Sequence, residues 1–164
     1  MILNDVQKEI KEMTARFADS ELVPFASVYD REAHFSPDLY SKLAENGFFG
    51  IFIPEEFGGA GFDYINYALI VEEISRGCAS TGVLVSAHNS LCVWPILNFG
   101  NIEQKKKYLP LLASGKAIGC FCLSEPNAGS DAGSLKTYAE DKGDFFEISG
   151  LKNYITNGKE ASIG

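Results

Sequence analysis

The sequence predicts an α+β chain: an all-α helical bundle over residues 1–114, then the beginning of an antiparallel, β-barrel-like module over 115–164 that is incomplete. Three observations carry this. Before Ser114, apolar residues recur at helical spacing between recognisable caps. From Ile118 onward the apolar runs are short, rich in β formers and separated by turn signals. Helices come first and strands afterwards, which argues for two segregated modules and not a βαβ sheet.

The helices can be justified in order. Val6, Ile10, Met13 and Phe17 share one helical face, and Lys8, Glu9, Lys11, Glu12 and Arg16 lie opposite. Pro24 opens or kinks a second segment carrying Phe25, Val28 and Tyr29. Ser36-Pro37 reads as an N-cap with proline in the first turn, and Gly47 closes that helix after Asn46, with Leu39, Leu43 and Ala44 turned inward. The stretch from Phe48 to Phe62 contains Gly58-Gly59-Ala60-Gly61. It does not fit G-x-G-x-x-G, and no strand-turn-helix unit surrounds it, so it reads as a packed connector.

Asp63 caps a helix reaching about Arg76, with Ile65, Ala68, Leu69 and Glu72–Ile74 in its register. Ser80 or Thr81 starts the next, which runs to Phe99 with a kink at Pro95. Trp94 and Phe99 read as core. His88, in an apolar run, reads as a hydrogen-bonded core histidine. Asn101 with Gln104 makes a capping-box variant that opens a helix through Leu112, and Gly115 ends the helical part. The Lys105–Lys107 run is a solvated face. Four strands are expected after it: Ile118–Ser124, Leu135–Glu140, Phe145–Ser149 and Lys152–Thr156, with a turn at Asp141–Asp144.

A chain of 164 residues, 46% of them hydrophobic, can bury a core, and a net charge of −8 argues against nucleic acid or an anionic membrane surface as partner. The longest apolar run, Gly82–Gly100, is broken by His88, Asn89, Pro95 and Asn98, which favours a buried helix over a membrane span. Nothing at Met1–Val6 resembles a signal or transit peptide. The four cysteines, Cys78, Cys92, Cys120 and Cys122, show no metal-ligand spacing and read as reduced and mostly buried; Cys120 and Cys122 should point their thiols to one face of a strand. The expectation is a soluble protein of the cytoplasm, or of the mitochondrial matrix in a eukaryote.

The chemistry concentrates in one run. The strand-like Ile118–Leu123 breaks at Pro126 into a small polar loop, Asn127-Ala128-Gly129-Ser130-Asp131, whose backbone N–H groups can approach a ligand closely. The run Cys122-Leu123-Ser124-Glu125-Pro126-Asn127-Ala128-Gly129-Ser130-Asp131 resembles the flavin-side signature of the acyl-CoA dehydrogenases. Lys152-Asn153-Tyr154-Ile155-Thr156-Asn157 resembles that family's next flavin motif, at the usual distance downstream. The chain is most similar to short- or branched-chain members.

The resemblance implies FAD as cofactor and α,β-dehydrogenation of an acyl-CoA thioester, with the hydride passing to flavin N5, in fatty acid or amino acid catabolism such as β-oxidation. Cofactor contacts then fall on Phe121, Cys122, Leu123, Ser124, Glu125, Pro126, Asn127, Ala128, Gly129, Ser130, Tyr154, Ile155 and Thr156. Ser124 and Thr156 supply hydroxyls, Thr156 near N5, and Tyr154 packs on the ring. Ser130 also contacts the acyl-CoA. Glu125 and Asp131 read as loop organisers that cap backbone N–H groups. In the family the catalytic base is a carboxylate of the C-terminal helical domain, so no catalytic residue is assigned here and the 164-residue chain is expected to be inactive by itself. Implied partners are an electron-transfer flavoprotein and further copies of the chain, as a tetramer or dimer. A flavin oxidase or monooxygenase on the same fold, and a short non-catalytic product that binds acyl-CoA or a partner, are the alternatives.

Overall fold

The computed structural model describes residues 2–164. Helix α1 (Asp5–Phe17) opens on a capping box between Asn4 and Gln7, which the sequence reading passed over. Its buried stripe is Gln7, Ile10, Thr14 and Phe17, whereas Val6 is exposed. The Thr14 hydroxyl donates to the Ile10 carbonyl at 2.7 Å, so a polar residue sits inward without an unpaired group. A π turn, Ala18–Leu22, prolongs α1 and leads to α2 (Ala26–Glu32). Helix α3 (Pro37–Glu45) has the expected Ser36 cap and buries Leu39 and Leu43.

The connector after α3 is packed, as its glycines suggested. Gly58 takes φ +83° at the end of a 3-10 turn (Glu55–Phe57), and a Cβ on Gly59 would fall 2.1 Å from the Ile53 carbonyl oxygen. Helix α4 (Tyr64–Gly77) is capped by Asp63 and runs along α1 on one side and α5 (Ala79–Ser86) on the other. It buries Asn66, Leu69, Ile70, Glu73 and Ile74, while Ile65 faces out. Buried Glu73 is paired with Arg76 at 2.7 Å and Lys11 at 3.5 Å, which ties α4 to α1.

Helix α5 starts at Ala79, directly after Cys78. It does not run on to Phe99 as regular helix: a π turn, Ala87–Val93, intervenes before α6 (Trp94–Phe99). Pro95 has no N–H to return to the preceding turn, and the Trp94 N–H reaches back to the Asn89 carbonyl. Phe99 is 79% exposed and not core, and Trp94 is half-buried with its indole N–H donated to the Tyr64 hydroxyl. Helix α7 (Ile102–Ala113) opens on the Asn101–Gln104 capping box.

One apolar cluster joins Ile10, Phe17 and Leu22 to Leu39, Leu43, Phe48, Ile70, Ile74 and Leu84; the Phe17 and Phe48 rings meet edge-on at 5.1 Å. A second joins Ile53, Val93, Leu109, Leu112 and Ala117.

After α7 the expected four strands become two. Strands β1 (Tyr138–Asp141) and β2 (Phe146–Ser149) form an antiparallel hairpin with Ala139 opposite Ile148, turning through Gly143 at φ +91°. Ile118–Ser124 is extended but joins no sheet; it holds one parallel bridge, Gly119 to Ile163. Lys152–Thr156 is no strand either. Tyr154 there takes φ 56°, a left-handed conformation that no strand continues through.

Candidate functional site

The two motif segments lie against each other. The Asn153 N–H donates to the Ser124 carbonyl at 2.8 Å, and Lys152 Nζ donates to the Leu123 carbonyl at 3.0 Å. The first segment is seated on the helical bundle through the His88 side chain and on residues 162–163 through backbone bonds. Gly119 N–H donates to His88 Nδ1 at 3.1 Å, and Cys120 N–H donates to the Ile163 carbonyl at 2.9 Å. Asn157, in the left-handed region at φ 64°, donates through Nδ2 to both Gly119 O at 3.1 Å and Leu84 O at 3.2 Å. One buried amide therefore ties the second motif to the first and both to α5.

His88 is fully buried. Its Nε2 lies 3.1 Å from the Phe49 carbonyl, so Nε2 carries the proton and Nδ1 is left to accept from Gly119. Burial pushes its pKa down to about 4, against the backbone carbonyls that favour the charged ring. The neighbouring Asn89 accepts from Ile51 N–H and donates to the Phe48 and Val85 carbonyls. His88 and Asn89 of the π turn thus satisfy the packed connector's backbone, which would otherwise be buried unpaired. His88 is a structural histidine, as its apolar surroundings suggested.

Glu125 organises the loop. Its carboxylate accepts from the Lys136 N–H at 2.6 Å and the Thr137 N–H at 2.9 Å, and it pairs with Lys152 Nζ at 2.8 Å. Lys152 first, then the bonds from residues 136–137, pull its pKa down to about 2. A carboxylate held this firmly in its charged form is a poor proton acceptor, so Glu125 is an anchor and not a base. Asp131 plays a lesser part, accepting from the Ser134 hydroxyl within the 3-10 turn Ala132–Ser134. Sequence reasoning missed the counter-ion role of Lys152 and the bridging role of Asn157. The Asn157-Gly158 dipeptide, a turn signal, was the one trace of the latter.

Around this frame the remaining site residues are open to solvent. Because the Cys120 and Cys122 thiols stand together on one side, Phe121 and Leu123 project from the other. Phe121, Leu123 and Tyr154 are exposed, Tyr154 at 96%. Ile155 is half-buried and Thr156 exposed; Ser124 is half-buried, and neither its hydroxyl nor that of Thr156 makes a hydrogen bond among the described residues. In the loop, Ala128 is buried and bonds back to Glu125, whereas Pro126, Asn127, Gly129 and Ser130 are exposed. Ser130 makes no hydrogen bond among the described residues. The arrangement offers free hydroxyls beside flat apolar surface, with no paired nucleophile and base. That is what a large, polar-edged aromatic ring requires of its binding surface. A cleft of about 320 Å³ borders Thr156, lined by Phe35, Tyr40, Val83 and Leu84. A wider groove of about 530 Å³, between Ile96, Phe99, Tyr108 and Ile163, holds none of these residues.

Residues 4–116 match the acyl-CoA dehydrogenase N-terminal domain, and residues 120–164 match the middle domain of the same enzymes. The chain belongs to the acyl-CoA dehydrogenase family. It is 45% identical over 160 residues to the mitochondrial short-chain specific acyl-CoA dehydrogenase of Rattus norvegicus, spanning 98% of this chain and 39% of that one. A chain in the structure of an electron transferring flavoprotein of Acidaminococcus fermentans superposes with TM-score 0.93 at 45% identity, covering 98% of this chain and 42% of that chain. An acyl-CoA dehydrogenase from Bacillus anthracis, solved with FAD, superposes at TM-score 0.86 and 36% identity, covering 97% of this chain and 28% of that chain. The 164 residues therefore span well under half of each of these similar chains. No helix among the described residues is long and apolar enough to cross a membrane, and no three described ligand residues gather for a metal.

Proposed function

We propose that this chain forms the N-terminal helical part (1–114) and the flavin-facing start of the middle β-module (115–164) of an FAD-dependent acyl-CoA dehydrogenase. The observation that carries the reading is the junction of the two motif segments, Asn153 N–H on Ser124 O, with the Ser124 and Thr156 hydroxyls left unbonded beside exposed Phe121, Leu123 and Tyr154. These residues fit the flavin: hydroxyls for its polar edge and N5, apolar side chains for its face. FAD, when bound, supplies the acceptor for the hydride lost from the acyl-CoA β-carbon.

The chain's own residues bind and orient. Ser124 and Thr156 fix the ring, Leu123 and Tyr154 shield it from water, and Glu125 holds Pro126–Ser130 in place through Lys136, Thr137 and Lys152. Ser130 contacts cofactor and acyl chain. The base that takes the α-proton is a carboxylate outside residues 1–164. The short-chain relative supports a short acyl-CoA as substrate, and the resemblance supports an electron-transfer flavoprotein as acceptor and self-assembly of the complete protein. The hairpin's exposed Tyr138, Phe146 and Ile148 suit a module completed by further β structure.

Two experiments test this. In the complete protein, Ser124→Ala and Thr156→Val should keep the fold but shift flavin absorbance and potential, each lost hydrogen bond being worth about 1–3 kcal/mol; an unchanged spectrum and potential in both would remove the assignment. The 164-residue chain alone, mixed with FAD and assayed by dye reduction with butyryl-CoA, should bind flavin poorly and show no turnover. Stoichiometric yellow protein that reduces the dye would overturn the placement of the base.

A further inference from the structure

Three of the four cysteines meet where the extended segment 118–123 lies against the π turn. Cys120 Sγ and Cys122 Sγ stand 3.7 Å apart, and both are free thiols. Cys122 is exposed and Cys120 buried. Cys92, also buried, is pressed against the backbone beside them: a Cβ on Gly119 would fall 2.5 Å from its sulfur. On the far side Gly164 covers the pair, since a Cβ there would fall 2.9 Å from Cys120 Sγ and 3.5 Å from Cys122 Sγ. Solvent reaches the pair at Cys122.

We propose that Cys120 and Cys122 form a modification site, a dithiol that hydrogen peroxide converts to an intramolecular disulfide with Cys122 as the sulfur first oxidised. The Cys122 thiolate attacks one peroxide oxygen, the O–O bond breaks, and the first water leaves with a proton from solution. The product is a sulfenic acid on Cys122. The Cys120 sulfur then displaces the hydroxyl from that sulfenic sulfur: the S–S bond forms, the S–O bond breaks, and the Cys120 proton leaves in the second water. Two electrons pass from the two thiols to the peroxide. Burial pushes the Cys120 thiol up to about 11, which keeps it protonated and unreactive towards peroxide until the sulfenic acid stands beside it. Two residues apart on an extended segment, the Cα atoms lie about 6.6 Å from each other, near the upper end of the range a disulfide spans. Closure therefore puckers the segment whose N–H groups pair with Ile163 and His88 and which leads directly into Ser124. The proposal rests on the thiol geometry alone and needs no bound flavin.

Peptide mapping of the 164-residue chain tests it. After brief peroxide treatment, alkylation in denaturant and trypsin digestion, Cys120 and Cys122 fall together in the peptide 117–136, and Cys78 and Cys92 in 77–105. The expected result is a 117–136 peptide two hydrogens lighter than its reduced form and unalkylated, restored by dithiothreitol, with 77–105 fully alkylated. Two of the four thiols are lost. Cys122→Ser, at an exposed position, should abolish that loss, and Cys120→Ser should leave a sulfenic acid on Cys122 that dimedone captures. Disulfide linkage of 77–105 to 117–136, a disulfide between two chains, sulfinic acid on Cys122 with Cys120 still alkylated, or no oxidation of either thiol would each overturn the proposal. The wild-type map and the Cys122→Ser variant decide it without the buried substitution.

Discussion

At the scale of single residues, His88 shows how a titratable group becomes structural. Its ring is fully buried, and both nitrogens are committed to backbone, Nε2 to Phe49 O and Nδ1 to Gly119 N–H. Protonation would give Nδ1 a hydrogen facing a donor. With the folded pKa near 4 and the unfolded value near 6.5, the unfolded chain takes up the proton first as pH falls. Stability should therefore be constant above about pH 6.5, decline by about 3 kcal/mol on the way down to pH 4, and level off from this group below that. Urea unfolding across this range measures it. His88→Gln, which keeps a donor and an acceptor but cannot titrate, should flatten the decline; an unchanged slope in the variant would move the effect to other groups. Tyr154 is a bulky side chain held left-handed and exposed within a motif. Strain of this kind concentrates at binding sites.

At the scale of elements, local sequence wrote the helix ends and tertiary contacts wrote the loops. Asn4, Ser36, Asp63 and Asn101 each accept a bond from the first turn that follows. The π turn before Pro95 is a local effect too, yet it turns His88 and Asn89 onto the connector 48–51. The loop from Glu125 to Thr137 has no such local rule. Its shape is set by one carboxylate reaching backbone eleven and twelve residues ahead and a lysine twenty-seven ahead. Glu125→Gln should speed amide exchange at Lys136 and Thr137 and leave α4 unchanged. The wild-type loop should stay ordered as pH falls until it passes towards 2, because the depressed pKa keeps Glu125 charged over that window. Exchange measured by mass spectrometry reads both; equal protection in the variant would remove the anchor role.

At the scale of the whole molecule, Gly119 is a junction between the helical part and the segment that follows it. His88 and Asn157 both bond to Gly119, one through its N–H and the other through its carbonyl. Asn157→Ala would leave the Gly119 carbonyl buried without that donor and force alanine into a left-handed φ. A loss of about 2–3 kcal/mol follows from the unpaired group and the strain together. Asn157→Gly, which keeps the backbone conformation, should lose less. Chemical denaturation separates the terms: Asn157→Gly reports the lost tie, its difference from Asn157→Ala the strain, and a glycine variant as stable as the wild type would show that Asn157 carries no such tie.

What the sequence determined by itself was local or linear. Caps and 3.6-residue spacing placed the helices; the packed glycine connector, the core histidine and the two motif segments were also legible, because each is set by residues adjacent in the chain. The inward faces of α1 and α4 were legible at Ile10, Phe17, Leu69, Glu73 and Ile74 but missed at Val6 and Ile65, which are exposed while Gln7 and Asn66 beside them are buried, since burial depends on which helix lies alongside. Phe99, read as core, stands in solvent for the same reason. The four-strand expectation failed at Ile118–Ser124 and Lys152–Thr156, whose composition suits a strand but whose backbone bonds go to residues 162–163, to His88 and to each other. Only the tertiary structure decided these points. A strand exists by virtue of its neighbours, and the pairings of Ser124 with Asn153, of Glu125 with Lys152 and of Gly119 with Asn157 join residues too far apart in the chain for any local pattern to announce.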